Sequence, residues 1–127
     1  MNSLAKIYLL IAAVNGLMAV VLGAFGAHAL KSRLTESLLS AWQTGVQYHF
    51  YHVLALLGLG ILINGGLYNK YASASGAFFS IGIVLFCGSL YWLALGGPRW
   101  LGPITPLGGL CFIIAWLNLG VAIWQST

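Results

Sequence analysis

The stretch Ile7–Leu30, IYLLIAAVNGLMAVVLGAFGAHAL, decides the fold. It contains no Lys, Arg, Asp or Glu and its apolar character is continuous. A helix needs about 20 such residues to cross a hydrocarbon core of roughly 30 Å. A strand of a membrane barrel would instead alternate apolar and polar residues over about 10 positions, and no such alternation occurs. Lys6 ahead of the run and Ala27-His28-Ala29 at its end imitate a secretory signal and its cleavage site. The apolar part is too long for that, since a signal core is about 7–15 residues. The reading is a resident transmembrane helix.

Three further runs of the same kind follow. The second ends near Ile63 and begins between Ala41 and Val46; the third covers about Ala72–Leu95 and the fourth about Pro103–Trp124. We place the four helices at about 7–30, 44–63, 72–95 and 103–124, which leaves no room for a second domain in 127 residues. The expected fold is an all-α integral membrane protein, a four-transmembrane-helix up-and-down bundle forming one domain over 1–127. Composition agrees: 61% of residues are hydrophobic and 5% charged, and the mean hydropathy is +0.96. Soluble domains carry about 25% charged residues. A soluble globule, a disordered chain and a disulfide-stapled scaffold are all excluded.

The net charge of +4 does not mark a nucleic-acid surface. Lys6, Lys31, Arg33, Lys70 and Arg99 are scattered over helix ends and loops, whereas nucleic-acid binders gather such charges on one face. They suit lipid phosphates at the membrane border. Lys6 and Lys70 fall on one side and Lys31, Arg33 and Arg99 on the other, a balance that sets no orientation. Localisation is expected in a bacterial inner membrane as a multi-pass protein. Cys87 and Cys111 fall inside the third and fourth helices, each about 12 Å in from the third loop, and read as small buried apolar side chains.

The connection before the second helix is unusual. Ser32–Gln47, SRLTESLLSAWQTGVQ, is polar yet compatible with helix, with Thr35 as N-cap and Glu36 in the first turn. Leu34, Leu38, Leu39, Trp42 and Val46 fall near an i, i+4 stripe. The stripe predicts an amphipathic lead-in helix at about 34–45, lying at the interface and bending into the second crossing near Gly45. The competing reading is one long, tilted second helix. Small residues at i, i+4 spacing, Ala19, Gly23 and Ala27 in the first helix and Gly76 and Ser80 in the third, are expected to be helix-packing faces.

Polar side chains at membrane depth carry the functional signal, because they are costly there and usually face a partner or a cavity. His28 closes the first helix, Gln43, Gln47, Tyr48, His49, Tyr51 and His52 crowd the entrance to the second, Tyr91 ends the third and Thr105 begins the fourth. Up-and-down topology brings all of these to the end of the bundle that holds loops one and three. We take His28, Gln43, Gln47, His52, Tyr91 and Thr105 as the candidate binding cluster. The competing reading is an interfacial belt of self-satisfied polar groups. His49-x-x-His52 with His28 could hold zinc, and His28 with His52 is the one pair suited to bis-histidine haem. No carboxylate lies in the membrane to support either, so neither a metal nor a cofactor is expected. There is also no phosphate loop, no nucleophile with a base and no carboxylate pair, and the reading is not an enzyme.

Four motifs in order carry a family resemblance: Gly23-Ala24-Phe25-Gly26-Ala27-His28; Trp42-Gln43-Thr44-Gly45 running to Tyr51-His52; Gly88-Ser89-Leu90-Tyr91; and Thr105-Pro106-Leu107-Gly108-Gly109. The chain resembles the YgdD-like small membrane proteins, domain-of-unknown-function family 423, and is similar also to transmembrane protein 256. The resemblance spans essentially the whole chain and implies a four-helix inner-membrane protein with no established activity. Its pattern falls on His28, Gln43, Gly45, His52, Ser89, Tyr91, Thr105 and Pro106. His49 and Cys87 lie outside it, which weakens a metal site built on His49 and His52.

Two function classes follow. One is a non-enzymatic binding or packing protein whose partners are membrane lipids, a quinone, a larger membrane-protein complex or further copies of itself as a homo-oligomer. The alternative is a small transporter or proton-linked permease. The only acid, Glu36, is expected at the surface, which argues against acid-coupled export, although His can carry protons. A transporter requires a polar cavity reaching mid-membrane. A binding protein requires a sealed core and a lateral groove.

Overall fold

A computed structural model describes residues 1–127, with helices α1 Ser3–Leu30, α2 Glu36–Asn64, α3 Lys70–Ala94 and α4 Arg99–Trp124. Each is long and apolar enough to cross a membrane, and none of the chain is strand. The protein is an all-helical, four-span membrane protein.

The helix ends follow local chemistry. Asn2, Thr35 and Asn69 cap α1, α2 and α3, each side chain accepting from backbone N–H groups of the first turn. Glu36 stands in the first turn of α2, where the helix dipole favours an acid. At the other ends, Gly66 and Gly96 take positive φ, 113° and 97°. They close α2 and α3 with six-to-one bonds, Leu67 N–H to Leu62 O at 3.0 Å and Gly97 N–H to Trp92 O at 2.8 Å.

The lead-in is helical, but it is not a separate element. The α2 helix runs unbroken for 29 residues through Gly45, so the long second helix is the correct one of the two readings. At 1.5 Å per residue it is about 43 Å long, more than a hydrocarbon core of roughly 30 Å, and its first turns project beyond that core or it tilts. Gly45 serves closeness rather than bending. It is buried, and a Cβ there would come 2.9 Å from the Tyr91 ring.

Pairing is sequential. α1 packs on α2, α3 packs on α4, and α2 rests on the second half of α3. The main core runs through Ala5, Tyr8, Leu56, Phe79, Phe112 and Ala115, all buried. Gly76 lets the Tyr8 ring lie directly on the α3 backbone, and the Tyr8 hydroxyl donates to Ser73 O at 2.5 Å. Of the expected packing residues, Ala19 is fully buried and Gly23 faces Val46, while Ser80 is half-buried and donates to Gly76 O at 2.8 Å. Ala27 is exposed, and Gly26 takes the buried place against Trp42. The reason is helical phase: eight residues overshoot two turns by about 80°, whereas seven fall within about 20° of them.

Two stretches wind more widely, as single π turns: Gly26–Leu30 at the end of α1 and Ile83–Cys87 within α3. The second brings the Phe86 backbone against Gly108 of α4, so closely that a Cβ on Gly108 would overlap it. Cys87 is buried in this turn, Cys111 is half-buried, and both are free thiols.

Candidate functional site: an aromatic groove between the second and fourth helices

Because contact is sequential, alternate helices stand apart and leave grooves between them. Between α2 and α4 lies a groove of about 490 Å³ lined by Tyr48, His52, Phe86, Pro106, Gly109 and Phe112. Its rim residues Leu110 and Ile113 are 51% and 58% exposed, so it opens sideways toward lipid. Tyr48 lies 16 residues before the end of α2, about 24 Å from it along the axis, which puts the groove in the half of the helix nearer loop one.

The wall of the groove is a set of rings. His52 is stacked flat on Phe112, centroids 3.6 Å apart and planes 4° from parallel. Tyr48 packs on Phe86 at 4.7 Å, and Phe86 on Phe112 at 5.5 Å. The His52 ring is fixed by two bonds. Its Nδ1 lies 2.7 Å from Tyr48 O, and the Trp116 indole N–H donates to its Nε2 at 3.2 Å. A carbonyl only accepts and an indole only donates, so His52 is a neutral imidazole protonated on Nδ1. Neither nitrogen is free for a ligand.

A second polar network ties three helices together on the opposite flank. His49 is buried, with Nε2 2.9 Å from Asn15 Oδ1 and Nδ1 2.9 Å from the Tyr91 hydroxyl. The Asn15 amide nitrogen donates to Ile11 O at 2.9 Å, which leaves its oxygen to accept from His49. His49 therefore carries a proton on Nε2, and as the neutral imidazole it accepts from the Tyr91 hydroxyl at Nδ1. These groups border a smaller cavity of about 210 Å³ between α1 and α3. No buried polar side-chain atom in the bundle lacks a partner.

The six residues singled out from sequence do not converge. His28 is exposed, and Gln43 and Gln47 line a separate crevice of about 300 Å³ beside Gly23 and Gly26. Tyr91 bonds His49, Thr105 shares a 2.5 Å bond with Ser89 that ties α4 to α3, and His52 bonds Trp116. None of the six is hydrogen-bonded to another. Topology brought them to one end, but phase separates them: Gln47 and His52 stand about 140° apart around α2. His49 and His52 likewise turn to different helices, and no three His, Cys, Asp or Glu side chains gather around one point.

Sequence reasoning missed several members of these networks. Asn15 is a lone amide within the first apolar run, a signal of interhelical bonding that was available. Phe86, Phe112 and Trp116 look like any other apolar residues in their runs, and only the fold gathers them.

The model for a protein of unknown function, DUF423, matches residues 22–109. The membrane protein YwdK of Bacillus subtilis, a UPF0382 protein, is 44% identical over 117 residues, covering 92% of this chain and 95% of its own. The chain belongs to the DUF423 family. UPF0382 membrane proteins of Staphylococcus epidermidis and Staphylococcus saprophyticus are 44% and 42% identical, covering 92% and 94% of the chain and 94% and 98% of their own lengths. No solved structure matches it. The DUF423 match takes in Tyr48, His52, Phe86, Pro106 and Gly109 of the groove and ends before Phe112 and Trp116.

Proposed function

We propose that this DUF423 protein is a non-enzymatic binding protein that takes a lipophilic molecule from the bilayer into the α2/α4 groove. The observation that carries the reading is the pairing of a tightly packed core with a lateral, aromatic groove. The core residues Leu56, Phe79 and Ala115 are fully buried, and every buried polar side-chain atom is hydrogen-bonded within the protein rather than lining a path. That arrangement suits a site entered from lipid better than a permeation route. The groove's volume falls in the usual range for small-molecule sites, about 300–1,000 Å³, and its lining is mostly apolar.

Gly109 provides the test. A Cβ there would meet only Phe86, at 3.8 Å, so a larger side chain projects into the groove without disturbing the packing of α3 on α4. Wild-type protein and Gly109→Leu, gently extracted from membranes, are compared by native mass spectrometry. A lipophilic adduct retained by the wild type and lost in Gly109→Leu supports the reading. Equal retention by both, or none by either, overturns it.

A further inference from the structure

The groove contains one hydrogen-bonding group that the protein does not use. Of the six tyrosines, Tyr8 donates to Ser73, Tyr91 bonds His49 and Tyr68 accepts from Asn2, while the hydroxyls of Tyr48, Tyr51 and Tyr71 have no partner in the chain; of these three only Tyr48 lines the groove. The residue is 38% exposed, and its ring forms one wall of the groove against Phe86. The other polar group in the lining, His52, has both nitrogens occupied. A ligand in this groove therefore meets flat aromatic surfaces and a single free O–H.

Resting on the proposal that the groove takes a bilayer-soluble ligand, we infer that this ligand belongs to the quinone class: a flat ring whose carbonyl oxygen accepts from Tyr48, with an apolar tail running out between Leu110 and Ile113. Three features select it. The stacked pair His52/Phe112 and the tilted pair Tyr48/Phe86 offer ring faces and edges, which a planar conjugated ring matches in offset or edge contact. A phospholipid acyl chain would cover the same area but leave the Tyr48 hydroxyl unsatisfied within the hydrocarbon, where no water replaces the bond. The depth also fits, since with α2 upright and Asn64 at the opposite boundary Tyr48 lies roughly 6 Å inside the loop-one boundary of a core about 30 Å thick. A ring there stands just below the headgroups while its tail stays in the hydrocarbon.

Decylbenzoquinone and decylbenzene separate the ring and its oxygens from the tail. Each is titrated calorimetrically into detergent-solubilised wild-type protein, Tyr48→Phe and Gly109→Leu. Tyr48→Phe is expected to fold, because the hydroxyl it removes has no partner. The wild type should bind the quinone saturably and about tenfold more tightly than decylbenzene, the worth of one hydrogen bond. Tyr48→Phe should bind the two alike, and Gly109→Leu should bind neither. Equal binding of both probes by the wild type would overturn the quinone assignment while leaving a lipophilic groove intact. So would a preference that survives Tyr48→Phe. Saturable binding of neither probe to the wild type, with a lipid adduct still lost in Gly109→Leu, would place the failure in the quinone assignment alone; the loss of that adduct difference as well would remove both proposals.

Discussion

The imidazole of His52 lies face to face on the ring of Phe112, 3.6 Å between centroids and 4° from parallel, and this contact joins α2 to α4. The backbones of these two helices are otherwise held apart by α3, so the stack and the Trp116 bond set the width of the groove beside them. His52→Phe should keep the stack and lose the bond to Tyr48 O within α2 and the Trp116 bond to α4, the latter worth about 0.6–1.7 kcal/mol as an interhelical bond in a membrane. His52→Ala should also leave a cavity and cost about 2–4 kcal/mol. Thermal unfolding in detergent should rank wild type, His52→Phe and His52→Ala in that order; equal midpoints for all three would show that the stack contributes nothing.

The adjacent glycines Gly108 and Gly109 should behave oppositely. A Cβ on Gly108 would overlap the Phe86 backbone, which cannot turn aside as a side chain would. Overpacking of that kind costs about 1–3 kcal/mol or more. At Gly109 the nearest atom is 3.8 Å away, so Gly109→Ala should be within about 0.5 kcal/mol of wild type. Melting curves of the two alanine variants measure the contrast, and similar destabilisation by both would refute this account of α3/α4 packing.

Asn15, His49 and Tyr91 should act as one unit. Removing either outer partner leaves one nitrogen of buried His49 without its bond, at about 1–3 kcal/mol. If the network is cooperative, Asn15→Ala combined with Tyr91→Phe should depart from the sum of the single changes by 0.5 kcal/mol or more, on the order expected for groups sharing a partner. A double-mutant cycle on unfolding midpoints tests this, and strict additivity would show that the two bonds are independent.

His28 should prove dispensable for the fold. It is exposed on the π turn of α1 and bonds to nothing in the chain, so His28→Ala should change stability by less than about 0.5 kcal/mol. It should also leave ligand retention unchanged. Loss of an adduct in this variant would move the site toward the α1/α2 crevice.

The four crossings and the Thr35 cap were legible because each rests on local chemistry: apolar length and a side-chain acceptor. The site was not, for a different reason. Up-and-down topology assigns residues to an end of the bundle, but which face each presents depends on phase, and His52 and Gln47 share an end without sharing a face. The π turn at Ile83–Cys87 resets that phase within α3 and has no residue signature of its own. Gly45 shows the same limit. Its sequence context fits a bend, yet its use is to admit the Tyr91 ring. Within the chain the small-residue stripe turns outward at Ala27, because strict i, i+4 steps drift around a helix of 3.6 residues per turn.

An experimental structure of the protein purified from its own membranes tests the central claim most directly. The account predicts density in the α2/α4 groove, a flat feature within hydrogen-bonding distance of the Tyr48 hydroxyl and against Phe86, extending outward between Leu110 and Ile113. A groove closed by rotation of Phe86 or Phe112 into it, with bound density instead beside His49 or between Gly26 and Gln43, would contradict it.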